Sequence, residues 1–172
     1  MRERERGTIE QLIVTPIRPW ELVLGKLLPY VLISLFDTLA VLMFGSLWFG
    51  VPVRSGIGMV LALSGLFMFT SLGIGLLASS IAKTQQEATI SVYAFLIPSM
   101  MLSGFFFPLE AMPGWLQTIS YLIPLRYYLV IIRSLLLKGV GVASLQTEIL
   151  ALVVFGVGLM TLASLRFRKR LD

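Results

Sequence analysis

Cysteine and histidine are both absent from the 172 residues, and only 13% of the residues are charged. Their absence excludes disulfides, thiol nucleophiles, histidine bases and His/Cys metal sites within these residues. A soluble domain has about 25% charged and about 45–50% apolar residues. This chain is 57% hydrophobic and has a mean hydropathy of +0.91. The composition therefore predicts an integral membrane protein without enzyme chemistry of those kinds.

Four apolar blocks are long enough to cross a bilayer, which takes roughly 20 helical residues. Short polar breaks separate the first three blocks, and a longer interruption over residues 108–145 precedes the last. We therefore expect one all-α integral membrane domain over residues 1–172, opening on a cytoplasmic segment, residues 1–19. The expected spans comprise residues 27–50, 56–82, 88–107 and 146–165.

The basic residues predict the topology. With four spans and both termini in the cytoplasm, ten of the fourteen Lys and Arg residues are cytoplasmic, in agreement with the positive-inside rule. A fifth span between residues 115 and 137 is disfavoured because Arg126 and Arg133 would then lie in hydrocarbon. We therefore expect two short helices over residues 109–138, lying in or dipping into the outer leaflet. Since the charges flank apolar blocks, no nucleic-acid partner is expected.

The longer interruption has the composition of a re-entrant element. Non-helical backbone at membrane depth persists only where protein or water covers it, so this element is expected to close the outer end of a pathway. Amphipathic aromatic rings favour the membrane interface. The aromatic residues expected there are Trp115, Tyr121, Tyr127 and Tyr128. The residues assigned to the element are Pro108, Pro113, Pro124, Arg126 and Arg133.

Asp37 is the only ionisable residue near the middle of a predicted span. Such a residue is a functional candidate, either lining a polar path or binding a cation. The alternative is a protonated carboxyl, or one that is hydrogen-bonded to a neighbouring helix or to Ser34. A separate pattern, Ser71, Gly75 and Ser79, places a small residue at every fourth position, which favours close helix packing over a substrate role.

The N-terminal segment has the pattern of a short polar helix. Thr8 and Gln11 form a capping-box pattern, and Pro16 ends the helix after about two turns. Ile9, Leu12 and Ile13 fall on one face. The segment is either a juxtamembrane helix on the cytoplasmic surface or a docking element for a cytoplasmic partner.

Several blocks of the chain resemble type-2 ABC transporter permeases of the exporter class. Residues 5–12 with Thr15-Pro16 and Gly25-Lys26 resemble the cytoplasmic coupling segment of these permeases. The later blocks resemble their second cytoplasmic turn, their span-five exit and their external helices. These later blocks are residues 83–88, 102–108, 112–116 and 124–127, with Arg133 and Gly139.

The resemblance implies a membrane permease subunit that moves a substrate outward. It implies a second permease subunit, in a homo- or heterodimer, and two ATP-binding subunits that use ATP and Mg²⁺. The chain lacks the G-x-x-x-x-G-K-[ST] phosphate loop, so it is expected to bind no cofactor and not to be an ATPase itself. A multi-pass protein of the bacterial inner membrane is expected. The residues implied to contact the ATPase are Gly7, Thr8, Ile9, Glu10, Leu12 and Ile13.

Permeases of this family usually have six spans, two of them before the coupling segment. The four spans expected here therefore predict that the chain corresponds to the C-terminal part of such a permease. A truncated permease remnant or a non-transporting membrane scaffold stays open as the alternative function. An in-frame span upstream and a neighbouring gene for an ATPase would favour the permease.

Overall fold

The computed structural model describes residues 19–168, and the regular structure among them is entirely helical. Three long helices and one of eighteen residues are joined by short turns and a cluster of short helices. The long helices are α1 (Pro19–Phe49), α2 (Ile57–Ile81) and α6 (Gln146–Arg168), and α3 (Gln85–Leu102) follows α2. The cluster consists of a 3₁₀ turn (Leu109–Ala111), α4 (Gly114–Ser120), α5 (Pro124–Arg133), a π turn (Ser134–Lys138) and a second 3₁₀ turn (Val142–Leu145).

Specific local signals set the ends of these helices. Helix α1 ends where Gly50 adopts a φ of +62°, a left-handed conformation that glycine reaches at low cost. Helix α3 begins at a capping motif in which Thr84 Oγ1 accepts a hydrogen bond from Glu87 N–H at 3.1 Å. The Glu87 carboxylate in turn accepts from Lys83 N–H at 2.7 Å. Both hydrogen bonds lie within residues 83–87, which are predicted to lie outside the hydrocarbon.

Three helical segments among the described residues are long and apolar enough to cross a membrane: Leu28–Phe49, Ile57–Ile81 and Val142–Arg166. A fourth crossing is counted if α4 and the segment Pro124–Lys138, bent by 89° relative to each other, form one span. The predicted all-α integral membrane class is confirmed. Helix α3 is not among the three because Gln85, Gln86 and Glu87 in its first turn lower its mean hydropathy.

The third predicted span, residues 88–107, differs most from the structure. Helix α3 starts three residues earlier and ends at Leu102. It ends there because Gly104 takes a φ of +88°, and a non-helical stretch leads to Pro108. The number of crossings and the side on which each loop lies stay predictions.

The core lies where α5 packs between α2 and α6. Its members are completely or almost completely buried: Val60, Ile131, Leu135, Leu145 and Leu152. Helices α2 and α6 form the most extensive helix pair of the structure. Helix α1 packs mainly on α2, and no residue of its apolar stretch is buried. The best-packed part of the described chain is therefore the end that carries the short helices.

Candidate functional site

The pair formed by α4 and α5 is called the external helix pair after its predicted location. Among residues 19–168 it takes part in most of the polar side-chain contacts between separate elements. The predicted prolines stand at element starts: Pro108 before the 3₁₀ turn, Pro113 before α4, and Pro124 as the first residue of α5. Proline suits the first helical position because its missing N–H would have no helical partner there. The two short helices expected over residues 109–138 are present, while their location in or dipping into the outer leaflet stays a prediction.

Arg126 fastens α4 to α5. Its Nη1 donates to the carbonyl oxygen of Gln117 at 3.1 Å and to the hydroxyl of Ser120. The guanidinium also lies over the Tyr121 ring, 3.8 Å from the centroid, in a cation–π contact. A cation at the end of α4 complements the partial negative charge of its last carbonyls. Arg126, one of the two residues that disfavour a fifth span, thus caps the C-terminal end of α4.

Arg133 reaches a different element. Its Nη2 donates to the carbonyl oxygen of Gly104 at 2.8 Å, across 29 residues of sequence. Gly104 is buried and belongs to the turn that ends α3. Position 104 requires glycine for two reasons. Its backbone conformation is one that L residues rarely adopt, and a Cβ there would lie 3.1 Å from Leu109 Cγ.

Tyr127 and Tyr128, predicted to lie at the membrane interface, also make contacts within the protein. The Tyr127 hydroxyl donates to the Tyr121 carbonyl oxygen at 2.9 Å. The Tyr128 hydroxyl is 2.9 Å from Ser64 Oγ, and its ring stacks on Phe67 with centroids 4.3 Å apart. The Tyr128 contacts anchor α5 to α2, and the Tyr127 contact joins α5 to the end of α4. The sequence pattern alone did not indicate them. Trp115 and Tyr121 are largely exposed, as interface residues would be.

A further polar contact ties the α1–α2 loop to the segment after α5. Ser55 Oγ lies 2.8 Å from the Leu135 carbonyl oxygen and 3.3 Å from that of Val140. Gly139, with a φ of +64°, passes so close to Arg54 that a Cβ at position 139 would lie 2.8 Å from the arginine Cβ. The external helix pair is therefore connected to α2 and α3, and the segment that follows α5 is connected to this loop.

Helices α2 and α6 approach each other closely at two glycines that do not belong to the predicted stripe. A Cβ at Gly73 would lie 3.0 Å from Leu159 Cβ, and one at Gly156 would lie 3.0 Å from Thr70 Oγ1. These two glycines allow α2 and α6 to pack closely. A Cβ at Gly75 would meet no atom within 4 Å. A role for Ser71, Gly75 and Ser79 in contacting another helix or subunit stays a prediction.

Two members of that stripe line a groove instead. Ser71 and Gly75 face a cavity of about 190 Å³ between α2, α3 and the start of α5. Most of the remaining lining is apolar: Phe67, Ile74, Val92, Phe95, Leu96, Pro124 and Leu125, with Ser99. Ser99 Oγ donates back to the Phe95 carbonyl oxygen at 2.7 Å, so its hydroxyl is already bonded.

Asp37 lies on the exposed side of α1, and its carboxyl makes no hydrogen bond or ion pair with residues 19–168. The neighbouring hydroxyl of Thr38 donates to the Ser34 carbonyl oxygen at 2.7 Å. A bond between Asp37 and Ser34, one of the alternatives considered above, is thus not formed. The functional interpretation of Asp37 stays a prediction.

The coupling residues Gly7, Thr8, Ile9, Glu10, Leu12 and Ile13 lie outside the described residues. Within residues 19–168, no three His, Cys, Asp or Glu side chains lie close enough together to hold a metal ion. The contacts among residues 19–168 therefore pack helices against one another and hold the external helix pair in place. They leave an apolar groove between α2, α3 and α5.

Comparison with known proteins identifies the family to which the chain belongs. Residues 1–137 match the family model described as ABC-2 type transporter. The chain is 37% identical over 172 residues to the probable multidrug ABC transporter permease YbhS of Escherichia coli, covering 99% of this chain and 46% of that protein. It is 31% identical to the probable multidrug ABC transporter permease YbhR of the same organism, over 98% of this chain and 46% of YbhR.

A more distant relative is eukaryotic. ABC transporter G family member 20 of Dictyostelium discoideum is 24% identical over 90% of this chain and 21% of its own length. No solved structure matches the chain significantly. The chain spans about half the length of the bacterial relatives it matches. The family match over residues 1–137 confirms the resemblance noted from the sequence. The chain belongs to the ABC-2 type transporter family.

Proposed function

We propose that this chain forms part of the membrane permease subunit of an ATP-driven ABC exporter, with ATP hydrolysis in a separate subunit. The observation that carries the proposal is the family match, which starts at residue 1 and so includes the segment expected to contact the ATPase. The described helices supply the membrane part, and the external helix pair supplies a packed outer end. The permease itself binds no ATP or Mg²⁺ in this proposal.

The coupling segment, residues 7–14, is the proposed contact with the ATP-binding subunit. Ile9, Leu12 and Ile13 recur at helical spacing, so they form one apolar face that fits a groove in a partner protein. Glu10 lies beside this face and is proposed to meet a polar or basic group at the groove edge. When the ATP-binding subunits close on ATP, movement of this helix would be transmitted to α1, which follows it in the chain.

The external helix pair is proposed to close the outer end of the pathway. Its connections to α2 and α3, and the contact of the following segment with the α1–α2 loop, support this role, because a closure must be fixed to the neighbouring helices. Assembly with a second permease subunit would place two such ends side by side. The exposed apolar surface of α1 is available for that assembly. The small-residue stripe on α2 is a second candidate, reached from the groove that Ser71 and Gly75 line.

Charge reversal in the coupling segment tests the proposal. The full-length permease, wild type or Glu10→Arg, is co-expressed with a candidate ATP-binding subunit and purified in detergent. Replacing an attraction by a repulsion at a buried pair costs about 2–5 kcal/mol, so at least a tenfold loss of co-purified ATP-binding subunit is expected. Insertion into the membrane should be unchanged because the position is predicted to lie outside the bilayer.

Glu3→Arg is the matched control, since it makes the same change in the charged approach that precedes the coupling segment. It is expected to retain the ATP-binding subunit. Equal retention by wild type and Glu10→Arg would instead support the other interpretation, a helix lying on the membrane surface. It would then leave the non-transporting scaffold as the better function.

A further inference from the structure

Arg133 joins two elements that the sequence does not place together. It is the last residue of α5, and its guanidinium donates to the Gly104 carbonyl oxygen, in the turn that follows α3. Compared with the extensive α2–α6 interface, α3 and α5 pack loosely against each other. This charge-assisted hydrogen bond adds a direct polar link between α5 and the turn that ends α3.

The Gly104 carbonyl depends on this donor. Helix α3 ends at Leu102, and the left-handed backbone at Gly104 turns the chain away from the helix. Gly104 is buried, and among residues 19–168 its carbonyl oxygen has no hydrogen-bond donor other than Arg133. A buried carbonyl without a partner is costly, and the end of a helix favours a nearby cation. Both effects favour the arginine at this place.

We infer that Arg133 is a positioning residue that fastens the external end of α3 to α5, so that the two ends move together when the outer side of the permease opens. The fastening rests on the contact alone, while the joint movement rests on the proposed function. Arg126 does the same for α4, through the Gln117 carbonyl oxygen and Ser120. Two guanidinium groups of α5 are thereby bonded to its neighbours, one to α4 and one to the turn that ends α3.

The distance between the two ends measures the fastening. Spin labels are placed on cysteines at Phe106 and Leu137, both more than half exposed, in a cysteine-free full-length permease in lipid nanodiscs. Electron paramagnetic resonance is expected to give one narrow distance distribution for the wild type. With Arg133→Met the distribution should widen at least twofold, because the end of α3 loses its donor. Arg133→Lys keeps a charged donor and should restore most of the narrow distribution.

Arg54→Met is the matched control. Arg54 is also predicted to be external and is exposed, and its guanidinium has no hydrogen bond or ion pair with residues 19–168. Its removal should leave the distribution narrow. A distribution equally narrow in Arg133→Met and wild type would overturn the fastening, as would equal widening in Arg54→Met. Equal amounts of folded protein in size-exclusion chromatography exclude misfolding as the cause.

Repeating the measurement with ATP and the ATP-binding subunit tests the joint movement. The wild-type distance between positions 106 and 137 should be the same with and without nucleotide, and a changed distance would overturn joint movement. ATP hydrolysis by the same samples reports on the proposed function separately. Without hydrolysis the proposed function fails, and the nucleotide-free comparison still decides the role of Arg133.

Discussion

Gly73 and Gly156 are the residues on which the closest helix packing depends. Replacing Gly73 by leucine would drive a side chain into Leu159 and the backbone of Met160, whose atoms lie 3.0 and 3.4 Å from the missing Cβ. Overpacking of this kind costs about 1–3 kcal/mol. We therefore expect Gly73→Leu to lower the midpoint of thermal unfolding of the purified protein in detergent.

Gly75→Leu is the comparison on the same helix. Since no atom lies within 4 Å of a Cβ at this position, the unfolding midpoint should stay close to that of the wild type. Its predicted effect is on assembly with a second permease subunit, at on the order of 1 kcal/mol per helix contact. An equal loss of thermal stability in both variants would contradict the assignment of the α2–α6 contact to Gly73.

Single residues were the hardest features to predict from the sequence. The stripe of small residues on α2 has a clear four-residue period, whereas Gly73 and Gly156 belong to no such pattern and each have only one glycine two residues further on. Which glycine faces another helix depends on the rotation of α2 about its axis, and a helix that is apolar on all sides gives no signal for that rotation. Tyr128 was assigned to the interface by residue type, but its hydroxyl also bonds Ser64.

Most of the helices could be predicted from the sequence. The bounds of α2 lie within one residue of the predicted span, and α6 begins at the predicted residue. The short helices of the external pair were expected because two arginines make a continuous span unfavourable. The structure adds the reason that both arginines are tolerated, since each guanidinium donates to a backbone carbonyl at the end of another helix.

The sidedness of these elements is directly testable, because the chain contains no cysteine that would react with a label. Gln85→Cys precedes the main body of α3 and is expected to react with a membrane-impermeant maleimide only from the cytoplasm. Thr118→Cys in α4 should react only from outside. Both positions are exposed in the structure. Labelling of both from one side would contradict the predicted topology.

Across the whole molecule, packing is unevenly distributed. The core residues Val60, Ile131 and Leu135 are fully buried at the end that carries α5, whereas the apolar stretch of α1 contains no buried residue. A well-packed end resists local opening more than a sparsely packed helix does. The described residues thus combine a well-packed end at α5 with a first helix whose apolar surface is left exposed.

The whole-molecule interpretation depends on coupling to an ATPase, so ATP hydrolysis tests it most directly. Hydrolysis by the purified ATP-binding subunit is measured alone and after reconstitution with the full-length permease in lipid nanodiscs. We expect the wild-type permease to raise the rate of hydrolysis and Glu10→Arg not to raise it, at equal amounts of inserted protein. A rate that is the same with the wild-type permease, with Glu10→Arg and without any permease would contradict coupling of the permease to ATP hydrolysis.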